Sequence, residues 1–297
     1  MKILAAIVTH NRAALLERCL LSLERQTQSP HEILVVNNGC SDNTSSVLKK
    51  FKVTELKQEN TGSAGGWNSA INYAMQRKFD YVWLMDDDGY PEENALKNLS
   101  SKISDNFSCL SSVVINEENK NSFVFSYPLL KKNGMPNTLK FWVKYKHLDD
   151  LPLVDSTYYP YAHLFNGALI CADAIEKIGN VNPNYFMYGD EVDYFFRLRE
   201  VGIVGSTPLA KHFHPNVSQR PYSIMRIYYN TKNNLINYKK YYDFPLIHQV
   251  FGPFIIFARI YKSNGPLFAL SLIFGKNKNI FFKGILRGFK NKIGLDF

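Results

Sequence analysis

Short apolar runs and amphipathic segments alternate along the first hundred residues. The apolar runs are rich in β-branched residues, and the segments between them carry apolar residues at helical spacing. The pattern predicts four strands and three helices: strands Ile3–Val8, Glu32–Val36, Val53–Leu56 and Tyr81–Met85, with helices near Ala13–Arg25, Asp42–Lys50 and Gly66–Lys78. Strand and helix in alternation predict an α/β fold, a parallel sheet with helices on both faces.

The pattern is less regular from about residue 105 to 165. Residues 110–115 and 122–127 look like strands, and HLDDLPLVDSTYYP looks like a loop. Regularity returns at FNGALICADAIEKIG, which predicts a strand followed by a short helix. It continues at YGDEVDYFFRLREVG, which predicts a further helix.

A polar stretch follows each of the first four predicted strands. These stretches are THNR, NNGCSDNT, QENTGSAGG and DDDGYP, in chain order. Ligands of parallel α/β sheets bind at the carboxyl ends of the strands. Four polar loops at one rim of the sheet therefore predict a binding site there.

The length and composition suit one large domain with an appendage. The chain has 297 residues, 45% of them hydrophobic, and we expect a catalytic domain over residues 1–220 and a helical, basic segment over 221–297. The N-terminal apolar run is too short for a signal peptide, so we expect a cytoplasmic protein. The cysteines are too far apart for a zinc site and suit free thiols: Cys19, Cys40, Cys109 and Cys171.

The positive charge is concentrated near the C-terminus. The net charge is +9. Residues 245–297 contain many Lys and Arg residues, whereas Asp296 is the one acidic residue among them. The apolar runs among them are shorter than the roughly 18–20 residues of a spanning helix. The segment suits peripheral binding to the anionic inner face of the cytoplasmic membrane, with a basic subdomain packed on the core as the alternative. No nucleic-acid-binding module is recognisable, so we expect no nucleic-acid partner.

Three consecutive carboxylates follow the fourth predicted strand. On an extended strand Asp86 and Asp88 would share one side and Asp87 would point to the other. Two carboxylates on one side favour a divalent cation between them, and oxygen ligands suit Mg²⁺ or Mn²⁺. The alternative is a solvated acidic turn. An EF-hand is excluded because the glycine and the twelfth-position Glu do not fit.

The stretch NTGSAGGWN places glycines just ahead of a predicted helix. Gly62, Gly65 and Gly66 would let backbone N–H groups approach an anion at the helix start. The spacing is neither that of G-x-G-x-x-G nor that of a P-loop. A glycine-rich connection without a ligand is the alternative.

Two later stretches carry further candidate residues. Asp190, Glu191 and Asp193 lie in the first turn of a predicted helix, where one acid suffices for capping and another could be a general base. His212 and His214 alternate on a predicted strand. No third zinc ligand is close in sequence, so one imidazole joining the aspartates on a harder metal fits better.

Taken together, these stretches resemble the family-2 inverting glycosyltransferases with the GT-A fold, whose sheet is Rossmann-like, mixed and mainly parallel. The resemblance implies Mn²⁺ or Mg²⁺ on Asp86, Asp88 and His214. It implies Glu191 as the catalytic base, with Asp190 as the other candidate. Nucleotide-sugar contacts are implied for Thr9, Asn11, Arg12, Asn38, Asp42, Gly65, Gly66, Asn68, Asp86 and Asp87.

The chain departs from the family pattern at two places. Asn37 stands where the second-strand motif often has Asp, which affects the expected contact with the nucleotide base. The acidic motif often reads Glu-Asp, whereas this chain has Asp190 followed by Glu191. The identity of the base therefore stays open between these two residues.

The GSAGGWN and DDDGYP stretches resemble galactofuranosyltransferases first and rhamnosyltransferases second. The resemblance implies metal-dependent, inverting transfer from UDP-galactofuranose to a glycan or lipid-linked oligosaccharide in bacterial surface polysaccharide synthesis, such as that of O-antigen. A dTDP-rhamnose-dependent enzyme is the alternative. A nucleotidyltransferase would have a glycine-rich first loop, which VTHNRAALLERC lacks, and a non-catalytic protein would have lost the acids.

Overall fold

The computed structural model describes residues 1–216 and 221–297. The strands are β1 (Ile3–Thr9), β2 (Glu32–Asn38), β3 (Thr54–Gln58), β4 (Tyr81–Asp86), β5 (Tyr90–Pro91), β6 (Phe107–Asn116), β7 (Ser122–Pro128), β8 (Lys144–His147), β9 (Asn166–Cys171) and β10 (Ile203–His214). The helices are α1 (Ala13–Glu24), α2 (Thr44–Leu48), α3 (Gly62–Gln76), α4 (Ala95–Lys102), α5 (Ala172–Ile178), α6 (Asp190–Val201), α7 (Ile224–Tyr241), α8 (Pro245–Asn264), α9 (Pro266–Ser271) and α10 (Lys278–Phe289).

The strands form one mixed sheet in the order β3-β2-β1-β4-β9-β6-β10-β5, and β7 and β8 extend it from β6. Strands β1 to β4 are parallel to one another, as the alternating pattern predicts. β9 is antiparallel to both β4 and β6, and β10 runs parallel to β6. Insertion of β9 next to β4 is a long-range pairing that local periodicity does not reveal.

The central strands are buried on both sides. Every residue of β1 is buried, and β4 is buried from Val82 to Met85. Helices cover both faces of such a strand, which explains why its sequence is a continuous apolar run. On one face α1 packs through Leu16, Leu20 and Leu23 into the same core cluster as Trp83.

Contacts divide the chain into two compact units. The sheet unit contains residues 1–61, 66–181 and 194–216. The C-terminal unit contains residues 62–65, 182–193 and the described residues from 221 onward. The expected helical character of the C-terminal segment is confirmed by α7 to α10.

The C-terminal unit has its own apolar core and a buried ion pair. Ile227, Ile256 and Phe281 belong to one buried cluster drawn from α7, α8 and α10. Lys232, fully buried, donates from Nζ to Asp296 Oδ1 at 2.7 Å, so the chain end is anchored on α7. Among the described residues, no helix is both long and apolar enough to cross a membrane.

Candidate functional site

The acidic stretch begins where β4 ends. β1 and β4 pair in parallel with Val8 opposite Asp86, which brings Thr9 next to the acidic turn. Asp87 and Asp88 lie in the turn beyond the strand and are only 2% and 4% exposed. These two carboxylates are therefore inside the protein, and a solvated acidic turn does not describe them.

One guanidinium joins the two buried carboxylates. Arg12 Nη1 donates to Asp87 Oδ1 and to Asp88 Oδ2, each at 2.9 Å. Thr9 Oγ1 donates to Asp87 Oδ2 at 2.7 Å. Burial raises the pKa of Asp87, and the charge of Arg12 opposes that rise.

The expected alternation of the three aspartates is wrong in one respect. β4 ends at Asp86, so strand geometry no longer applies to the next two residues. Asp87 and Asp88 consequently bind the same Arg12 instead of pointing to opposite sides. Asp87 contacts Thr9 and Arg12 within the protein.

His214 lies at the end of β10 and contacts the acidic turn. Its Nε2 is 3.0 Å from Asp88 Oδ1, and its Nδ1 is 2.7 Å from the carbonyl oxygen of Pro215. A carbonyl only accepts, so Nδ1 carries a proton. In the neutral ring, the lone pair of Nε2 then faces the Asp88 carboxylate, and two acceptors in contact repel each other. A cation between them, or a second ring proton, would supply the missing positive partner.

This pair fits part of a divalent metal site. A carboxylate oxygen and an imidazole nitrogen suit Mn²⁺, and the bond from Nδ1 to a backbone carbonyl orients the ring as in metal-binding histidines. Across residues 1–216 and 221–297, however, no group of three His, Cys, Asp or Glu side chains is arranged to hold a metal. Asp88 and His214 are the predicted ligands that the structure brings into contact.

His212 has a packing role. It is fully buried, and a Cβ on Gly89 would lie 2.2 Å from its Nε2. Burial lowers its pKa to about 3, so the ring is neutral. His212 thus fills the space beneath the acidic turn, where only a glycine fits above it.

Arg18 and Glu117 are site residues that the sequence did not reveal. Arg18 Nη2 donates to the carbonyl of Asp88 at 2.8 Å, and its Nη1 donates to Glu117 Oε2 at 2.7 Å. The guanidinium also lies over the ring of Tyr90, 4.6 Å from its centroid. Arg18 therefore holds the backbone of the acidic turn. Arg18 lies outside the buried stripe of α1, which consists of Leu16, Cys19, Leu20 and Leu23, so the hydrophobic pattern gave no signal of its role.

The polar loops after β1 and β2 are bonded to each other. Asn11 Oδ1 accepts from the amide of Ser41 at 2.7 Å. Asp42 accepts from Thr44 and from the amide of Ala13. Burial acts to raise the pKa of Asp42, but these hydrogen bonds outweigh it and hold the pKa below its usual value. Asp42 thus connects the starts of α1 and α2.

The two asparagines at the end of β2 have different partners. Asn38 Oδ1 accepts from Gln58 Nε2 at 2.9 Å and from the amide of Thr61 at 3.1 Å. Asn37 donates to Glu55 Oε1 at 2.7 Å. Glu55 therefore places a carboxylate beside the position where the family often has Asp.

The glycine-rich stretch lies inside α3. The helix begins at Gly62, so the glycines form its first turns and do not precede it, which corrects the predicted start. A Cβ on Gly66 would lie 2.4 Å from Val8 Cγ1, so this glycine lets α3 approach β1 closely. Gly65 is buried in the same turn. Asn68 donates to the carbonyl of Val181 at 2.7 Å, so its amide stabilises the fold.

The acidic motif of α6 lies in the C-terminal unit up to Asp193. Asp190 is 4% exposed, and Ser63 Oγ donates to its Oδ2 at 3.4 Å. Burial raises the pKa of Asp190 to about 6. A carboxyl that titrates this close to neutrality suits a general base. Glu191 is half-buried.

Asp193 has a structural role in the same unit. Its Oδ1 accepts from Tyr241 at 2.6 Å, from Lys240 at 2.8 Å and from Tyr185 at 3.3 Å. These bonds join the first turn of α6 to α7. Of the three acids in the motif, Asp190 and Glu191 therefore stay as the candidates for catalysis.

The fold is that of GT-A glycosyltransferases. Mannosyltransferase PcManGT from Pyrobaculum calidifontis, solved with GDP-Man and Mn²⁺, superposes with a TM-score of 0.57 at 14% identity, over 98% of this chain and 86% of that one. GalNAc-T7, solved with UDP, GalNAc and Mn²⁺, superposes with a TM-score of 0.60 at 14% identity, over 86% of this chain and 50% of that one.

Sequence comparison then gives the family. Residues 5–150 match the model of Glycosyl transferase family 2. Galactofuranosyltransferase GlfT1 of Mycobacterium tuberculosis is 30% identical over 221 residues, 72% of this chain and 70% of the relative. GlfT1 of Mycolicibacterium smegmatis is 29% identical over 220 residues, 71% and 70% of the two chains. The chain belongs to glycosyltransferase family 2.

Proposed function

We propose that the protein transfers galactofuranose from UDP-galactofuranose to a glycan or lipid-linked oligosaccharide during bacterial surface polysaccharide synthesis. The GlfT1 relatives at about 30% identity support this donor. The observation that carries the proposal is the cluster of Arg12 with the buried Asp87, Asp88 and His214 at the ends of β1, β4 and β10. Such a cluster is suited to bind a cation and a diphosphate.

A panel of UDP- and dTDP-sugars tests the donor, with nucleoside diphosphate release as the measurement. We expect UDP-galactofuranose to give the fastest release. Faster release from dTDP-rhamnose would assign the enzyme to the rhamnosyltransferases instead. No release from any donor by the folded protein would contradict a transferase role.

A divalent cation, Mn²⁺ or Mg²⁺, is proposed as the cofactor, with Asp86, Asp88 and His214 as its ligands. When bound, the cation would neutralise the diphosphate as it leaves. The contact between Asp88 and His214 supports this assignment. We expect Asp88→Ala to weaken Mn²⁺ binding, measured by electron paramagnetic resonance in the presence of UDP, whereas Glu118→Ala, an exposed change, should not.

Glu191 is the first candidate for the base that takes the proton from the acceptor hydroxyl, and Asp190 is the second. A single displacement with such a base inverts the anomeric configuration. We expect Glu191→Gln to bind UDP normally and to lose about 10²- to 10⁴-fold in transfer rate. Full activity of Glu191→Gln combined with loss in Asp190→Asn would transfer the role to Asp190, whose raised pKa already suits it.

Peripheral binding to an anionic membrane from the cytoplasm is proposed for the C-terminal unit. The outward side of α8 is apolar, with Leu246 at 73%, Phe251 at 58% and Phe254 at 68% exposure. Its inward side, Gln249 and Ile256 among others, is buried. A helix apolar on its outward side, in a basic segment, suits the interface of an anionic leaflet.

Substitutions on α8 test this membrane proposal better than a truncation. α10 packs closely on α7, since a Cβ on Gly288 would lie 2.7 Å from Leu235 Cβ, so removal of residues 245–297 would disturb the unit itself. Phe251→Ser with Phe254→Ser should weaken sedimentation with phosphatidylglycerol vesicles by about tenfold or more. Leu209→Ser, at another exposed apolar position, on β10, should leave binding unchanged, and equal binding by all three proteins would contradict the proposal.

A further inference from the structure

One face of α7 is occupied by contacts to the loop of residues 185–189, which leads directly into the acidic motif. Asn233, which is fully buried, donates from Nδ2 to the carbonyls of Tyr185, Met187 and Tyr188, each at 2.9 Å. One amide group thus binds three carbonyls of the loop. Asn237 is four residues further along the same face and is 1% exposed.

Asn237 binds the last residue before the motif. Its Nδ2 donates to the carbonyl of Gly189 at 2.8 Å, and its Oδ1 accepts from Tyr185 Oη at 2.8 Å. The amide of Asp193 donates to the same Gly189 carbonyl at 2.9 Å, within the first turn of α6. The position of Gly189 therefore fixes where α6 begins, and with it the position of Asp190.

Two further residues of α7, which precede Asn233 in the chain, also contact the loop of residues 185–189. Arg226 Nε donates to Tyr188 Oη at 2.7 Å, and the ring of Tyr229 packs on Phe186 with centroids 4.9 Å apart. With Asn233 they follow the spacing of one helix face. The side of α7 toward the loop is thus made of groups that bind it.

The loop has a backbone that needs such support. Phe186 and Tyr188 have φ values of +63° and +59°, and Gly189 has +83°. The left-handed region is unfavourable by about 1–2 kcal/mol for each residue with a side chain. A Cβ on Gly189 would lie 2.9 Å from Asn233 Cβ, so the loop and the helix fit closely. Without the amide contacts, the loop would relax to other conformations.

We propose that Asn233 and Asn237 are positioning residues that fix the loop of residues 185–189 and thereby the carboxylates of Asp190 and Glu191. The proposal rests on the proposed role of one of these acids as the base. Asn233 and Asn237 act through the backbone and do not take part in the chemistry. Displacement of a reacting group by about 1 Å can lower a rate by about 100-fold.

The test compares Asn233→Ala and Asn237→Ala with Asn234→Ala. Asn234 is the matched control, because within the described part of the chain its amide donates only to Asn230 of α7. Release of UDP from UDP-galactofuranose, with water as acceptor, gives kcat and KM. Hydrogen exchange followed by mass spectrometry reports on the loop, and thermal unfolding shows that each variant is folded at the assay temperature.

We expect kcat to fall about 10- to 100-fold in Asn233→Ala and in Asn237→Ala, with the donor KM within about threefold of wild type. Exchange should rise in peptides covering residues 185–190 and stay unchanged in α7. Asn234→Ala should behave as wild type. If Asn233→Ala does not fold, Asn237→Ala, which removes one contact to the loop backbone, decides alone.

Two results would overturn the inference. One is an unchanged kcat in a folded variant whose loop exchanges faster. The other is a rise in exchange throughout the C-terminal unit, with kcat and KM affected equally, which indicates a merely structural role. If the wild type releases no UDP, the donor assignment fails; exchange confined to residues 185–190 then supports the positioning role, and an unresponsive loop overturns it.

Discussion

At the scale of single residues, the hydrogen-bond partners distinguish the candidate functional acids from the structural ones. The carboxylates of Asp193 and Asp42 accept hydrogen bonds that join neighbouring helices and loops of the fold. Asp88 instead contacts Arg12 and His214, groups from two other elements at the rim of the sheet. Asp190 is buried with a raised pKa, which is unfavourable for folding and typical of functional positions.

The raised pKa of Asp190 gives a pH prediction. The folded carboxyl keeps its proton up to about pH 6, whereas the unfolded one loses it near 3.8. The folded state therefore binds more protons in that window, and the contribution of Asp190 to stability falls as the pH rises through it. Asp190→Asn lacks this titration and should gain about 3 kcal/mol over wild type at pH 7.5, with little gain at pH 4.

Urea unfolding at pH 4 and pH 7.5 measures the two free energies. Asp173→Asn, an exposed acid on α5, serves as the control and should show no such pH-dependent difference. If Asp190→Asn were equally destabilised at both pH values, its hydrogen bonds would outweigh the burial of its charge.

At the scale of elements, the close approach of α3 to β1 depends on one glycine. Gly66→Ala would place a methyl group 2.4 Å from Val8 Cγ1, in a fully buried contact. Because a β-branched side chain in a central strand cannot move away easily, we expect a loss of about 1–3 kcal/mol. Denaturant unfolding measures it, with Ser69→Ala on the half-buried side of α3 as the control. Equal stability of the two variants would mean that α3 shifts without penalty.

The predicted strands and helices of the first hundred residues are confirmed, with small changes at their ends. β1 extends to Thr9 and β4 to Asp86, and α2 shortens to Thr44–Leu48. Asp42 lies outside α2 because its side chain accepts from the backbone instead of joining the helix. α3 starts four residues earlier than predicted, since glycines usually mark a loop and here they allow close packing.

At the scale of the whole molecule, the last residues of the chain stabilise the C-terminal unit. Asp296 accepts from Lys232 and Tyr228, and Arg287 forms a further ion pair with it. Burial lowers the pKa of Lys232, and the contact with Asp296 opposes that shift. The pair thus keeps a cation in the interior of the unit.

Asp296→Ala would leave Lys232 without this carboxylate, so we expect a loss of about 3 kcal/mol or more in the unfolding free energy. Lys232→Met in the same chain should restore much of it, and Lys290→Ala, at an exposed position, should have no effect. Thermal and urea unfolding measure the series. A double variant no more stable than Asp296→Ala would show that the ion pair is not the cause.

The domain division at residue 220 stays a prediction, and the contacts add detail to it. Residues 62–65 and 182–193 belong with the C-terminal unit although they are remote from it in sequence. A boundary drawn along the sequence cannot assign such segments, because their membership depends on what packs against them.

The amino-acid sequence alone predicts the alternation of strands and helices in the first hundred residues and the position of the acids at the end of β4. Burial repeats with the period of each element, so the apolar pattern carries that information locally. Tertiary structure decided that Asp87 and Asp88 share Arg12, that Asp193 is structural, and that the asparagines of α7 hold the loop before Asp190. Apart from the bond from Tyr185 to Asp193, those contacts join residues that are 45 to 76 positions apart, and no local period encodes a partner so distant.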